Sequence, residues 1–280
     1  MERAGDEQDV GAWSSRDAVE AWLRSSVARN ATLAPATEHM LDLAALRPGA
    51  RVLDLGAGTG DQAFAAAARV GPEGHVLATD ISAEMVAEAA AGAARARLGN
   101  VDTRVLDVAA IDLEPDRWNA VISRLGLMFT PDLAATLTGA HRVLRDGGRL
   151  AVIVWSTPER NPFLATPLAV LRELGRPAPP DAELVRAFSL GPPGVLARAL
   201  EAARFRDDVV DPVSAPRQLA SVAEAIAFQQ DSRPLARAMA HLDDGTRAAA
   251  WMAIERAYRR FETPSEVAFP GEVLVGGATK

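Results

Sequence analysis

The 280-residue chain has no cysteine. Disulfides, thiolate nucleophiles and cysteine-ligated zinc or iron–sulfur sites are therefore excluded. Lysine is nearly as scarce. The sole one is Lys280, the last residue, so Schiff-base catalysis has no residue to run on and arginine carries the remaining positive charge. No apolar run reaches the roughly 18 residues of a membrane-spanning helix. The opening stretch, MERAGDEQDVGAW, is polar and acidic and lacks the basic-then-apolar order of a signal peptide. With a net charge of −7 and no basic block interleaved with aromatics, the chain offers no nucleic-acid footprint. A cytoplasmic protein with a small-molecule substrate is the expectation, with no membrane insertion and with a homodimer allowed.

What is present is apolar: 49% of residues are hydrophobic, enough for a sizeable core. Residues 1–12 read as a tail. Val19, Trp22, Leu23 and Val27 predict an amphipathic helix over 14–29, and a second helix follows Pro35. The period then switches repeatedly. Short apolar runs at 50–56, 74–80, 102–108, 118–124 and 149–155 predict strands. Between them, 61–70, 82–97 and 131–144 predict helices, with Ser82 as an N-cap. Strand and helix alternating across short glycine-bearing turns mean parallel βαβ units and a doubly wound α/β sheet. Residues 157–204 are rich in proline and 219–262 in helix formers, whereas 204–213 and 272–279 read as strands.

The first strand runs into VLDLGAGTGD, residues 52–61, with glycines at 56, 58 and 60. Three alternating glycines cost backbone entropy and imply a tight turn approached closely by a ligand or a neighbouring element. In an open α/β sheet that turn is where ligands bind. The dinucleotide fingerprint asks for glycine where this chain has Asp61, whose carboxylate would repel a pyrophosphate at the helix N-terminus. Asp80 ends the second strand, placed to accept from a ribose diol, and Asp107 ends the third, placed to accept from an exocyclic amine. Val108 adds an N–H and an apolar surface. Each aspartate has an alternative use: Asp54 as a brace for the loop, Asp80 and Asp107 as caps of the helices that follow them.

VLDLGAGTGDQA, VLATDISAEMV, LDVAAIDL, WNAVISRLGLMF and HRVLRDGGRLAVIVW together resemble the successive motifs of class I S-adenosylmethionine-dependent methyltransferases. The nearest branch is that of the ubiquinone and menaquinone C-methyltransferases and natural-product methyltransferases. The resemblance is dense over 35–157. It implies S-adenosyl-L-methionine as cofactor and a mostly parallel, seven-stranded, Rossmann-like sheet with an antiparallel last strand. Its cofactor-binding residues would be Gly56, Gly58 and Gly60 with Asp54 bracing them, Asp80 on the ribose, and Ile81 over the adenine. Asp107 and Val108 would flank the adenine edge, and Ser123 would lie near the methionine carboxylate. The implied organisation is a tail and helical cap (1–34), a cofactor-binding core (35–157), helical lid insertions (158–204 and 218–264) and closing strands (205–217 and 265–280).

The substrate side is less determined. Arg124 either binds an anionic group or pairs with an acidic neighbour. Met128, Phe129, Trp155 and Phe163 form either a pocket wall or core. Trp13 and Trp22 are candidates for a lid over the cofactor. No catalytic residue stands out. His39 and His241 are the candidate general bases, while His75 reads as solvated and His141 as scaffold. No acidic cluster points to a metal. The expected reaction is metal-independent methyl transfer to an O, N or C nucleophile of a largely apolar metabolite in secondary-metabolite or quinone biosynthesis. The alternative is a protein that binds the cofactor without methylating, such as a cyclase.

Overall fold

The computed structural model describes residues 16–178 and 183–280; the predicted tail and Trp13 lie outside them. Two helices lead, α1 (Arg16–Arg24) and α2 (Ser26–Leu43). The predicted break between Arg29 and Pro35 does not occur. Pro35 is exposed within α2, and burial of Leu33, Met40 and Leu41 carries the helix past the backbone bond that proline cannot donate.

The alternating segment follows: β1 (Arg51–Leu55), α3 (Asp61–Val70), β2 (His75–Asp80), α4 (Ala83–Arg95), β3 (Val101–Val105), β4 (Trp118–Arg124), α5 (Leu133–Val143) and β5 (Leu144–Trp155). Ser82 caps α4, its hydroxyl accepting from the Met85 N–H at 3.2 Å. Beyond β5 come α6 (Pro162–Glu173), α7 (Glu183–Arg186), α8 (Val195–Ala202), β6 (Arg206–Ser214) and β7 (Arg217–Leu219). The chain ends with α9 (Val222–Gln230), α10 (Arg233–Met239), α11 (Asp244–Tyr258), β8 (Val267–Phe269) and β9 (Glu272–Thr279).

Seven strands form one sheet in the order β3-β2-β1-β4-β5-β9-β6. The first five pair in parallel, with Val52 opposite both Val76 and Ala120. β9 is antiparallel to both its neighbours, Val152 lying opposite Gly276. This is the doubly wound sheet expected, with the last strand in sequence inserted next to the edge. β1, β4 and residues 150–154 of β5 are almost wholly buried because helices cover both faces. One face packs Val52, Ile122 and Val275 against Leu33, Met40 and Leu41. The other packs Leu53, Val121 and Val152 against Leu137, Leu196 and Leu200.

The closing segments hold a correction. Residues 217–219 and 267–269 leave the main sheet and form a separate two-stranded one. Both chains turn away beside a proline, Pro216 or Pro270, which has no N–H for the ladder. They cross where the Ala215 N–H donates to the Gly271 carbonyl at 2.8 Å, and a Cβ on Gly271 would lie 2.1 Å from the Ala215 carbonyl oxygen. This small sheet packs Val267 and Phe269 with Leu171, Leu235, Ile254 and Tyr258 into a third cluster above the strand ends.

Candidate functional site

The loop after β1 turns through three left-handed glycines, with φ of +70° at Gly56, +55° at Gly58 and +94° at Gly60. A Cβ on Gly56 would stand 3.4 Å from the Gly126 Cα, so the turns after β1 and β4 pass in contact. A Cβ on Gly58 would meet the Trp22 indole nitrogen at 3.3 Å, which places α1 over the loop. Asp80 then fixes that loop to the end of β2. Its Oδ2 accepts from the Gly58 N–H at 2.9 Å and its Oδ1 from the Ser82 N–H at 3.0 Å. Burial pushes the Asp80 carboxyl up, while the N–H groups of Ser82, Gly58 and Ile81 oppose that rise. Each oxygen keeps a further lone pair for a ligand.

A cavity of about 600 Å³ opens here, running from the strand ends to the second helical layer. That volume suits a nucleoside-sized ligand together with a small partner. Of the predicted cofactor residues, Gly56, Gly58, Asp80, Ile81, Asp107, Val108 and Ser123 line it. Ile81 is 40% exposed, an apolar side chain left on the cavity wall. The Asp107 carboxylate accepts from the Ala109 N–H at 2.9 Å, so its capping role coexists with its place in the wall. The Ser123 hydroxyl donates to the Leu55 carbonyl at 2.8 Å, tying β4 to the glycine loop.

Two cofactor candidates stand behind the wall. Asp54 is fully buried, accepting from Gln62 Nε2 at 3.1 Å, and burial raises its pKa to about 7 against the opposing Gln62 bond. It braces the loop and does not line the cavity. Gly60 lets Phe64 and Ala89 pack against the start of α3, where a Cβ would lie 2.6 Å from the phenyl ring of Phe64.

On the other side Arg124, Phe129 and Trp155 line the cavity, whereas Met128 and Phe163 are core. Met128 turns into the cluster beneath β4. Phe163 is held among Phe228, Tyr258 and Phe269, with ring centroids 5.1–5.8 Å away. Both histidine candidates are displaced. His39 bonds Asp211 of the edge strand β6 at 2.8 Å, and His241 is exposed beyond α10. His75 is half-buried, stacked on Trp118 and bonded to Asp102, so it is packed as well as wetted. His141 meets Phe205 edge-on, and burial lowers its pKa. The only tyrosine is structural too: its hydroxyl donates to the Phe163 carbonyl at 2.5 Å and accepts from Gln229 at 2.8 Å. Burial pushes the phenol above its ordinary range.

An ion cluster missed in the sequence sits beside the loop. The Asp61 carboxylate accepts from Arg29 at 3.2 Å and from Arg124 at 3.3 Å; Arg124 also donates to Asn30 at 2.9 Å and Thr37 at 3.3 Å. The Arg29 guanidinium lies 3.7 Å from the Trp22 ring centroid. Burial lowers the pKa of Arg29 to about 10, with Asp61 opposing. Two arginines thus share one carboxylate. This corrects the role given to Asp61: its charge is more than compensated, so it does not make the loop repel an anion. Separations of 32 and 63 residues left no periodic trace of the cluster. Leu125, on the cavity wall with φ +59°, was equally invisible.

A family described as a methyltransferase domain matches residues 46–172, the stretch holding the glycine loop, Asp80, Asp107 and Ser123. Over that stretch the chain is similar to methyltransferases. The nocamycin O-methyltransferase of Saccharothrix syringae is 35% identical over 180 residues, 61% of this chain and 64% of that protein. The arsenite methyltransferase of Halobacterium salinarum is 36% identical over 128 residues, 46% of this chain and 33% of that one. A ubiquinone/menaquinone biosynthesis C-methyltransferase of Hydrogenovibrio crunogenus is 36% identical over 124 residues, 42% of this chain and 47% of that one. The chain therefore spans between a third and two thirds of the length of these relatives. Among solved structures, the YcgJ protein of Bacillus has the same fold, with a TM-score of 0.58 at 19% identity, covering 87% of this chain and 97% of that one.

Proposed function

We propose that this protein binds S-adenosyl-L-methionine at the glycine-loop end of the cavity and methylates a small, largely apolar metabolite at the other end. Asp80 takes the ribose hydroxyls on its remaining lone pairs. Ile81 and Val108 close on the adenine faces, with Asp107 at the ring edge. Gly56 and Gly58 let the methionine portion lie against the main chain, beside Ser123. The carboxylate of that portion meets the excess positive charge of Arg29 and Arg124 around Asp61. When bound, the cofactor supplies an electrophilic methyl carbon whose bonding pair with sulfur stays on sulfur as the acceptor's lone pair attacks. The chain's task is to orient the two partners and exclude water. Segments 158–204 and 218–264 serve as the lid over the acceptor.

The observation that carries this reading is one continuous cavity whose wall holds the glycine loop at one end and apolar side chains such as Leu164, Leu184 and Phe228 at the other. Among the described residues no three His, Asp or Glu side chains are grouped to hold a metal, and the proposed transfer uses none. A cytoplasmic role in natural-product or quinone biosynthesis suits that apolar acceptor end. S-adenosylhomocysteine titrated calorimetrically should bind, and Asp80→Ala should weaken it by about 2 kcal/mol, the scale of a charge-assisted hydrogen bond. No binding to the unaltered protein would end the proposal.

A second reading, cofactor binding without methyl transfer, gains from the cavity itself, since among its described residues there is no histidine to act as base. Product mass separates the two: methylation adds one methyl group and releases S-adenosylhomocysteine.

A further inference from the structure

Arg217 lies in β7, in the small sheet that was not foreseen, and lines the cavity. Its guanidinium carbon sits 4.7 Å from the ring centroid of Phe163 and 4.6 Å from that of Phe228. The two ring centroids are themselves 5.5 Å apart and the rings are inclined at 65°, so both lie to one side of the cation and do not sandwich it. Arg29 and Arg124, the buried arginines of this wall, share Asp61, whereas Arg217 is half-buried. Among the described residues no carboxylate pairs with Arg217. Glu224 also lines the cavity, but its carboxylate accepts instead from the Ala220 N–H at 2.6 Å. A cation withdrawn from water without a counter-ion is costly, and buried charges are normally paired. Burial brings the Arg217 pKa down to about 10, with Tyr258 opposing, and the guanidinium remains charged at neutral pH.

We infer that the missing counter-ion arrives with the acceptor: Arg217 recognises an ionised oxygen, carboxylate or acidic enolate or phenolate, on a flat apolar acceptor molecule. Arg217 and the cavity-lining Phe228, Leu164 and Leu184 supply both halves of that recognition, an anion-binding group and an apolar surround. This rests on the methyltransferase reading and narrows its substrate class. It also answers the absence of a histidine base, because an acceptor that enters as an anion has no proton to give up before it attacks.

The test uses the whole chain saturated with S-adenosylhomocysteine and two probes of equal shape, 2-naphthoate and its neutral amide, 2-naphthamide, titrated calorimetrically. The cofactor product is titrated first, and failure at that step overturns the methyltransferase reading itself. With it bound, naphthoate should bind at least tenfold tighter than naphthamide. Arg217→Met should abolish that preference while leaving naphthamide within about threefold, and Arg217→Lys should keep part of it. Equal affinity of the two probes for the unaltered protein would overturn the inference, whether both bind weakly or both bind well. Equal weakening of both by Arg217→Met would reduce the arginine to a packing residue. A large loss of S-adenosylhomocysteine affinity in Arg217→Met would move its anion from the acceptor to the cofactor.

Discussion

Asp54 and Asp61 sit seven positions apart around the same glycine loop, and their surroundings give them opposite electrostatic roles. Asp54 is fully buried with one oxygen unpartnered, so its protonated form is favoured and its pKa stands at about 7 against an ordinary 3.8. The unfolded chain releases that proton near pH 4, whereas the fold retains it until about pH 7. Stability therefore declines across that window, by a few kcal/mol, and levels off above it. Asp54→Asn keeps an acceptor for Gln62 and cannot ionise, so urea midpoints measured from pH 4.5 to 8 should be flatter than those of the unaltered protein. Parallel curves would remove Asp54 as the source of the slope. Asp61 does the reverse, since it is the shared counter-ion of two buried arginines. Asp61→Asn should cost about 3 kcal/mol in urea unfolding at pH 7, the scale of stranding a buried charge. A loss under 1 kcal/mol would mean that solvent already screens the trio.

At the scale of elements, the short helix α1 does more than its nine residues suggest. It places Trp22 against Gly58, and the Trp22 carbonyl and ring both hold Arg29 at the start of α2. The Trp22 ring thus covers the loop and packs on one end of the Arg29–Asp61–Arg124 trio, whose Arg29 the Trp22 carbonyl and Ser25 also hold. Trp22→Ala should weaken S-adenosylhomocysteine binding about tenfold, read by calorimetry, while the far-ultraviolet circular dichroism of the sheet core stays unchanged. An unaltered affinity would show that α1 only rests on the loop. The strands and helices from β1 to β5 were legible because their signals are local: a buried apolar run, a capping serine at 82, a glycine turn. The small β7–β8 sheet was not, because its strands are three residues each and are separated by 47 residues, 220–266. A run that short carries no period to read.

For the whole molecule, ligand binding to the fold and not to the unfolded chain sets a global prediction. S-adenosylhomocysteine at a hundred times its dissociation constant adds about 2.7 kcal/mol, which in a chain of this size raises Tm by roughly 5–10 °C. A nicotinamide dinucleotide at the same concentration should leave Tm where it was. A matching shift from the dinucleotide would return the glycine loop to the pyrophosphate-binding class. The cavity itself exists only at this scale, because residues from α1, four strand ends and the upper helices meet in one space.

The sequence alone determined the doubly wound sheet, the glycine loop and much of the cavity wall around it, including Gly56, Gly58, Asp80, Ile81, Asp107, Val108 and Ser123. Those features follow from backbone rules that act over a few residues: glycine φ, strand period and the ending of strands at one edge of the sheet. The tertiary structure decided which side chains beyond the loop face the space. It sent Met128 and Phe163 to the core, His39 to Asp211 of the edge strand β6 and His241 to the surface, and it brought Arg29 and Arg124 to Asp61 and Arg217 to the cavity wall. Those outcomes depend on packing among segments far apart in the chain, where burial and charge pairing choose the neighbour and local pattern has no say.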